Sequence, residues 1–296
     1  MLNRQILLLA LLEKWGGKLP NTEIQKYLFL LTRHQEKDKR SYHFIPYKYG
    51  CFSFNAYSDK RKLIEKGILK DADDWRLAEN QGGFFFMLAH EDRTLIEKIK
   101  KNFGHLNRKE LIRYIYLNYS YYAVNSEILD KVLSQSEISQ IMTYMPKNHI
   151  KAIYTIGYQG KSLEEYINCL INEDVKILFD VRKNPISRKY GFSKKTLKDT
   201  VEKVGIEYRH LPELGIPGEK RMNLNNIEDY NRLFDLYEKE ILSNRHDLLN
   251  MIYQLSLEND RIGLTCFEKL PGYCHRTRIA SAIVRLFHKD LPIIEL

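Results

Sequence analysis

Two carboxylic acids in the second half of the sequence, Asp180 and Glu268, each follow an apolar run. A carboxylate can orient a water molecule and stabilise an oxocarbenium-like transition state. The two acids are therefore predicted to be catalytic, in the hydrolysis of a glycosidic bond. A structural alternative stays open, since Asp180 could turn the chain or form an ion pair with Arg182.

Basic and aromatic side chains near these acids are predicted to hold a substrate. Guanidinium groups form paired hydrogen bonds to phosphate oxygens, and aromatic rings can stack on a base extruded from a duplex. The predicted phosphate- and substrate-binding residues are Arg182, Arg188, Arg276, His275, Glu213, Tyr158, Tyr190 and Phe192. The three aromatic residues of this set are the expected stacking residues.

Two cysteines of the same region, Cys266 and Cys274, are candidates for thiol chemistry. Cys274 stands beside His275 at a predicted helix start, where its pKa should be lowered. Both cysteines could equally be small buried hydrophobic residues. A zinc site of Cys266, Cys274 and His275 lacks a further ligand pair that would complete four ligands, so no metal is predicted. Gly157-Tyr-Gln-Gly160 is too short for a dinucleotide fingerprint, and no cofactor is predicted.

The second half of the sequence predicts an α/β domain, a mostly parallel sheet with helices on both faces. The predicted strands span 152–157, 175–179, 206–211 and 261–267. Helices are predicted to open at Ser162 and Ser193, and others to span 230–242, 248–258 and 277–287. Ligands of such sheets bind beyond the carboxyl ends of the strands, where the two acids are expected to meet Arg182 and Arg276 in one pocket.

The first half predicts a mainly α winged helix-turn-helix domain over residues 1–90. Three helical patterns, near 6–12, 21–31 and 54–66, precede a small wing predicted from a hairpin of 68–69 with 75–77 and a strand at 84–88. Such a module docks on double-stranded DNA, and the predicted DNA contacts are Lys60, Arg61 and Lys62. Nucleic acid is thus the predicted partner, and the oligomeric state is left open.

A helical connector is predicted over residues 91–148, and the α/β domain over 149–296. Its helices are expected at 95–103, 111–118 and 126–145, with the boundary at Pro146–Asn148. The tyrosines between Tyr114 and Tyr122 favour a packing surface over a base-stacking platform.

Charge and composition describe a globular chain with a basic first half. The net charge is +9; residues 1–150 hold 24 Lys and Arg against 17 Asp and Glu, a balance of +7, which leaves +2 for the remainder. A basic excess is compatible with a polyanionic partner, although a solvated lysine-rich surface would give the same count. No apolar run could span a bilayer, and four cysteines without a framework of spacings favour a reducing compartment. The expected location is the cytoplasm, without a membrane partner.

Four motifs, in order, carry a family resemblance. They are Tyr154-Thr-Ile-Gly-Tyr158, Phe179-Asp-Val-Arg182 followed by Pro185 and Ser187-Arg188, His210-Leu-Pro-Glu-Leu-Gly215, and Cys266-Phe-Glu-Lys-Leu-Pro-Gly-Tyr-Cys-His-Arg276. Over residues 153–287 the sequence resembles the bacterial domain-of-unknown-function family 488. The resemblance implies a fold and a site but no reaction. Residues 1–90 resemble winged-helix modules found beside defence and toxin–antitoxin genes.

Three functions remain open from the sequence. The first is a DNA-directed hydrolase that acts on a base, modified or not, or on its glycosidic bond, in genome defence. The second is a regulator that binds DNA and senses a small anion without catalysis. The third is cysteine-dependent sulfur or phosphoryl chemistry at Cys274.

Overall fold

A computed structural model of the protein describes residues 1–145, 150–222, 224–259, 261–287 and 291–296. The chain divides into two compact units, Met1–Met145 and Pro146–Leu296. The predicted boundary at Pro146–Asn148 lies outside the described residues.

The first unit is mainly helical. Its helices are α1 (Asn3–Lys14), α2 (Asn21–Arg33), α3 (Phe54–Glu65), α4 (His90–Phe103), α5 (Arg108–Asn118), α6 (Leu129–Val132) and α7 (Gln135–Met142). The single helix predicted over 126–145 is wrong, because Leu133 is extended and Ser134 opens a new helix. The Ser134 side chain accepts a hydrogen bond from the Glu137 amide, which satisfies a free N–H of the first turn of α7.

Short strands accompany the first helices. They are β1 (Lys18–Leu19), β2 (Ile45–Tyr47), β3 (Gly50–Phe52) and β4 (Trp75–Arg76). β2 and β3 form an antiparallel hairpin, whereas β4 pairs with β1. The hairpin predicted after α3 is reduced to one bridge between Leu69 and Leu77. A winged helix for residues 1–90 therefore stays a prediction.

The strand predicted at 84–88 is wrong, since Phe85–Met87 form a turn of 3₁₀ helix. The Glu13 carboxylate on α1 accepts hydrogen bonds from the amides of Gly83, at 2.6 Å, and Phe85, at 2.9 Å. Phe85 is buried. The segment is thus tied to a helix end and does not pair with a strand.

Lys60 is wrong as a DNA contact, because it is buried. It lies on α3 with Ala56 and Leu63, which share its inward face at helical spacing. Its ammonium donates to the Ala72 carbonyl at 3.0 Å and lies 5.3 Å from the ring centre of Trp75. The neighbouring Arg61 and Lys62 are exposed, and their contact with DNA stays a prediction.

Aromatic residues fill much of the core of the first unit. Trp75 is fully buried, and Trp15 packs on Tyr27 with ring centres 4.5 Å apart. In the predicted tyrosine run, Tyr116 is buried and Tyr122 packs against the core, so the packing role is confirmed.

Charged side chains also lie within this core, and Lys26 is one of them. Lys26 of α2 is buried, and its ammonium donates to the Cys51 carbonyl in β3 at 3.1 Å. Burial lowers the pKa of Lys26.

The second unit has a parallel sheet, as predicted. Five strands among the described residues form it, in the order β7-β6-β8-β5-β9. They are β5 (Ala152–Gly157), β6 (Ile177–Asp180), β7 (Glu207–His210), β8 (Arg261–Cys266) and β9 (Ile293–Glu295). β9, a three-residue edge strand beside β5, was not predicted from the sequence.

Helices lie around this sheet. They are α8 (Leu163–Asn172), α9 (Lys194–Glu202), α10 (Ile227–Glu240), α11 (His246–Asn259) and α12 (His275–Phe287). Alternate strand residues such as Ile153 and Leu264 share a core with α10, α11 and α12. On the other face, Gly263 lies close to Leu170 of α8. The strands β5, β6 and β8 are covered on both faces, and they are buried along their whole length.

Within the described parts of the chain, the helices are too short or too polar to cross a membrane.

Candidate active site

A cleft of about 360 Å³ opens at the carboxyl ends of β5, β6 and β8. It is lined by Tyr158, Arg182, Lys183, Asn184, Ile186, Ser187, Arg188, Ile216, Gly218, Arg221, Cys266 and Phe267. Four of these side chains are cationic, and none is a carboxylate. The composition suits an anionic ligand, since the positive charges reinforce one another in a partly enclosed space.

Asp180 ends β6 and is fully buried. Its carboxylate accepts hydrogen bonds from the guanidinium of Arg182, at 2.8 and 2.5 Å, and from the Tyr208 hydroxyl at 2.6 Å. Asp180 does not line the cleft. Asp180 therefore forms the ion pair with Arg182 that was the structural alternative to a catalytic role. This pair holds Arg182 in place.

Arg182 lines the cleft with little exposed surface, and its guanidinium is held in a fixed orientation. Besides Asp180, it donates to the Tyr158 hydroxyl at 2.9 Å and to the Phe192 carbonyl at 2.8 Å. Its own carbonyl lies 2.9 Å from Nε2 of His210, at the end of β7. A cation held by three elements loses little conformational entropy when a ligand binds.

Two cysteines and a histidine meet below this cleft. Cys266 is the last residue of β8, and Cys274 and His275 stand where α12 begins; all three are buried. The Cys266 Sγ lies 3.7 Å from Nδ1 of His275. Their ligand atoms and the Cys274 Sγ all lie within 4.8 Å of one another, so these three residues could hold a metal ion.

The lowered pKa predicted for Cys274 is wrong. Burial raises the pKa of the Cys274 thiol well above its usual value, and the Cys266 sulfur adds to this. Burial acts in the same sense on Cys266, but a hydrogen bond from the Cys274 thiol, the neighbouring His275 and the charge of Arg221 lower its pKa well below the usual value. Cys266, which lines the cleft, is therefore the better candidate for a thiolate.

Glu268 and Arg221 form an ion pair beside the thiols. Arg221 donates to the Glu268 carboxylate at 3.1 Å and to Nδ1 of His275 at 2.9 Å. The other Glu268 oxygen lies 3.3 Å from the Cys266 Sγ. Burial raises the pKa of Glu268, and the sulfur of Cys266 raises it further. Glu268 is the predicted catalytic acid that lies beside the floor of the cleft.

Arg276 is wrong as a phosphate ligand, because it is fully buried. Its guanidinium donates to the carbonyl of Glu268 at 2.6 Å and to that of Lys269 at 3.2 Å, and it forms an ion pair with Glu295. A Cβ atom at Gly157 would lie 1.8 Å from the Glu268 carbonyl. Arg276 and Gly157 therefore fix the loop that follows β8 against the end of β5.

The predicted stacking residues divide between the cleft and the core. Tyr158 lines the cleft, but one face of its ring stacks on Phe192, with centres 4.3 Å apart. Phe192 is fully buried and is wrong as a base contact. Tyr190 is half-buried and is not among the lining residues. Phe267, which lines the cleft with 44% of its surface exposed, was missed.

The structure thus brings Arg182, Arg188, Tyr158 and Cys266 to one cleft. Glu213 is exposed and lines a neighbouring depression instead. The missed cations are Lys183 and Arg221. Lys183 could have been found, because it directly follows a predicted site residue at a strand end. Arg221 instead ends a four-residue 3₁₀ helix, which is too short to give a periodic signal.

Residues 162–283 match the model of the family described as Domain of unknown function DUF488. The matched residues lie within residues 153–287, where the resemblance to this family was expected. The match does not extend to residues 1–90. No curated protein and no solved structure was found to match the chain. Over residues 162–283, the C-terminal half of the chain is similar to the DUF488 family.

Proposed function

We propose that the second unit is a hydrolase that acts on a nucleic acid in the cleft at the carboxyl ends of its strands. The observation that carries the proposal is the lining of that cleft, with four cations and no carboxylate, above a floor of buried reactive groups. Phosphate is the anion that nucleic acids present in regular arrays, and arginine binds it through paired hydrogen bonds.

Different lining residues would bind the phosphates and the bases of the substrate. Lys183 and Arg188 are exposed at the cleft and would meet phosphates first, whereas Arg182 is held in place by Asp180. Phe267 offers an exposed ring 5.3 Å from that of Tyr158, and a base could stack on it. These contacts would orient the scissile bond over the floor.

The catalytic carboxylate in this proposal is Glu268. Its side chain is 18% exposed, and one of its oxygens lies 3.3 Å from the Cys266 sulfur at the floor of the cleft. A carboxylate there can orient a water molecule toward the substrate. Asp180, whose oxygens are engaged by Arg182 and Tyr208, serves as a positioning residue instead.

The test is incubation of the full chain with plain and base-modified DNA, followed by assays for abasic sites and strand breaks. We expect product with the wild type and a loss of turnover in Glu268→Gln with substrate binding retained. Arg188→Gln should raise KM at least about tenfold, since one charged hydrogen bond contributes about 1.5–3 kcal/mol. Arg232→Gln, an equal charge change at an exposed site on α10, is the control. Equal effects of the two arginine variants, or no product from any DNA, would overturn the proposal.

A second candidate, thiol chemistry, moves from Cys274 to Cys266. It is favoured by the position of Cys266 in the cleft lining, 3.7 Å from a histidine nitrogen. A nucleophilic thiol forms a covalent intermediate. Mass spectrometry of acid-quenched reactions would detect a substrate adduct on Cys266 if this candidate is correct, and none if water is the nucleophile.

For the first unit, we propose binding of double-stranded DNA through the exposed Arg61 and Lys62 of α3. The basic excess of residues 1–150 supports this. Replacement of both by Gln should lower the affinity and reduce the slope of log K against log salt by about 2. Lys98→Gln with Lys101→Gln, two exposed lysines of α4, is the control. Salt-independent binding would contradict the proposal.

A further inference from the structure

We propose that Cys266, Cys274 and His275 form a binding site for zinc. Their ligand atoms lie within 4.8 Å of one another, and each residue is at most 1% exposed. Zinc prefers tetrahedral sets of thiolate and imidazole, with Zn–S near 2.3 Å and Zn–N near 2.0–2.1 Å. These bond lengths place a sulfur and a nitrogen about 3.6 Å apart. The distance from the Cys266 Sγ to Nδ1 of His275 is 3.7 Å.

The hydrogen bonds of His275 present the correct nitrogen to the metal. Nε2 lies 2.9 Å from the carbonyl oxygen of Val181, which can only accept. Nε2 must therefore carry the hydrogen, and the lone pair of the neutral ring is on Nδ1, on the side of the thiols. Histidines that bind zinc commonly donate their other ring N–H to a carbonyl or carboxylate in this way, which fixes both tautomer and ring orientation.

Regular elements hold the three ligands. Cys266 belongs to the central strand β8, which is paired on both sides, and His275 is the first residue of α12. The His275 ring also packs edge-on against Tyr237, with ring centres 5.7 Å apart. Both cysteines are free thiols. A site on rigid elements needs little rearrangement to close around an ion.

Arg221 competes with the metal for His275. Its Nη2 donates to Nδ1 at 2.9 Å, the atom that zinc would bind, while Nη1 holds Glu268. Metal binding therefore requires this guanidinium to turn away. The side chain is 30% exposed and lines the cleft, so it has space to do so. Removal of its charge should strengthen metal binding, because a cation beside the ion is repulsive.

The fourth position of the metal faces the cleft. Glu268 lies beside it, with one oxygen 3.3 Å from the Cys266 sulfur, so either this carboxylate or water would complete the tetrahedron. Zinc with three protein ligands and a bound water is the arrangement of hydrolytic sites. This catalytic role rests on the proposed function, but the binding of the metal does not.

Metal content tests the site without a substrate. The full chain, purified under reducing conditions with zinc supplied and then desalted, should contain one zinc ion per chain by plasma mass spectrometry. After removal of zinc with a chelator, Co²⁺ should give the strong visible and near-ultraviolet bands of a tetrahedral thiolate site. Cys274→Ser and His275→Gln should each weaken zinc binding at least about 100-fold. Arg221→Gln should bind zinc more tightly than the wild type does.

Cys169→Ser is the matched control, because Cys169 is a half-buried thiol on α8 that is not part of the cluster. Circular dichroism would verify that each variant is folded. The cobalt spectrum of the wild type tests the site even if a variant does not fold. A reduced wild type without stoichiometric zinc or cobalt would overturn the site. So would full zinc binding in Cys274→Ser, or a loss in Arg221→Gln as large as in the ligand variants. Absence of hydrolase activity in a zinc-loaded protein would instead refute the proposed function alone.

Discussion

The carboxylate of Asp180 is shared between Arg182 and Tyr208, and this decides what a substitution there does. A buried ion pair adds little net stability when it is complete, but the loss of one partner leaves a buried charge without compensation. The position of Asp180 after an apolar strand predicted a functional acid. The contacts give it a structural role, through which it acts on the cleft.

We expect Asp180→Asn to lower the free energy of unfolding of the second unit by about 3–5 kcal/mol. Urea unfolding followed by far-ultraviolet circular dichroism would measure the change. Tryptophan emission should not move, because Trp15 and Trp75 both belong to the first unit. Asp199→Asn, at an exposed position on α9, should change stability by less than about 0.5 kcal/mol. An unchanged stability in Asp180→Asn would show that Arg182 does not need its partner.

The buried Lys26 makes the stability of the first unit depend on pH. Burial lowers its pKa, and Arg108 acts in the same sense, while Cys51 and Glu23 oppose the shift. The folded-state pKa is thus below the unfolded-state pKa of about 10.4. This lysine therefore contributes stability above pH 10.4 or so, and that contribution is lost as the pH falls through the folded-state pKa.

Lys26→Met should abolish this contribution. As the pH falls from about 10.4, the wild type should lose stability relative to the variant by up to about 1.4 kcal/mol per pH unit. Urea unfolding followed by tryptophan emission at several pH values would measure the difference. Lys66→Met, at an exposed position, should follow the wild type throughout. A constant difference between Lys26→Met and the wild type would mean that Lys26 remains charged in the fold.

At the scale of elements, the cleft depends on how closely the loop after β8 approaches the end of β5. Gly157 is the residue that permits this approach, because a Cβ there would lie 1.8 Å from the Glu268 carbonyl and 3.2 Å from the guanidinium of Arg276. The opposing atom is backbone and cannot yield by rotating a side chain. The loop itself would have to move, and Glu268 with it.

Gly157→Ala should therefore destabilise the second unit by about 1–3 kcal/mol, as overpacking does in other interiors. Circular dichroism during urea unfolding would measure this. Gly218→Ala is the control, since a Cβ at that glycine meets no heavy atom within 4 Å and its change should stay within about 0.5 kcal/mol. Equal stabilities of the two variants would contradict the close approach.

The elements of the second unit could be predicted because each carries a strong local signal. Buried parallel strands are apolar throughout, and Ser162 caps α8 with Glu165 three residues on, so strand β5 and this helix start lie where the pattern put them. The edge strand β9 has three residues, two of them exposed with a half-buried one between, and offers too little pattern. The prediction of a wing strand at 84–88 was wrong, because the apolar run indicated a strand while a tertiary hydrogen bond to Glu13 holds the segment in another conformation.

The cleft was only partly predictable, since strand ends can be read from the sequence but burial of a single side chain cannot. Arg182 and Arg276 look alike in the sequence and both are buried, yet Arg182 lines the cleft and Arg276 does not. Likewise, Phe192 is buried in the interior, whereas Phe267 is partly exposed and lines the cleft. Which of two similar side chains faces solvent depends on packing between distant segments.

Each of the two units contains its own buried hydrophobic cluster. The buried cluster of the first unit runs from Leu7 to Ile141, and that of the second from Ile153 to Leu291. Each unit is of ordinary domain size and has its own core, which is the requirement for independent folding.

We expect residues 1–145 and 146–296, expressed separately, each to fold. The first fragment should unfold cooperatively in urea with the same midpoint in tryptophan emission as the full chain. The second fragment should unfold with the circular dichroism transition of the full chain that is not accompanied by a change in tryptophan emission. A first fragment without a cooperative transition would show that its core needs the rest of the chain.

The order of strands in the sheet determines how long β5 stays unpaired during synthesis of the chain. β5 is the first strand of this sheet to leave the ribosome, but its two neighbours are β8 and β9. Its residue Tyr154, for example, pairs with Gly263 and Ile294. During synthesis, an apolar strand therefore waits with both edges unpaired while more than a hundred residues follow it. Exposed apolar strand edges invite aggregation. Rapid completion of the nascent chain, or a chaperone that shields β5 until then, would lower this risk.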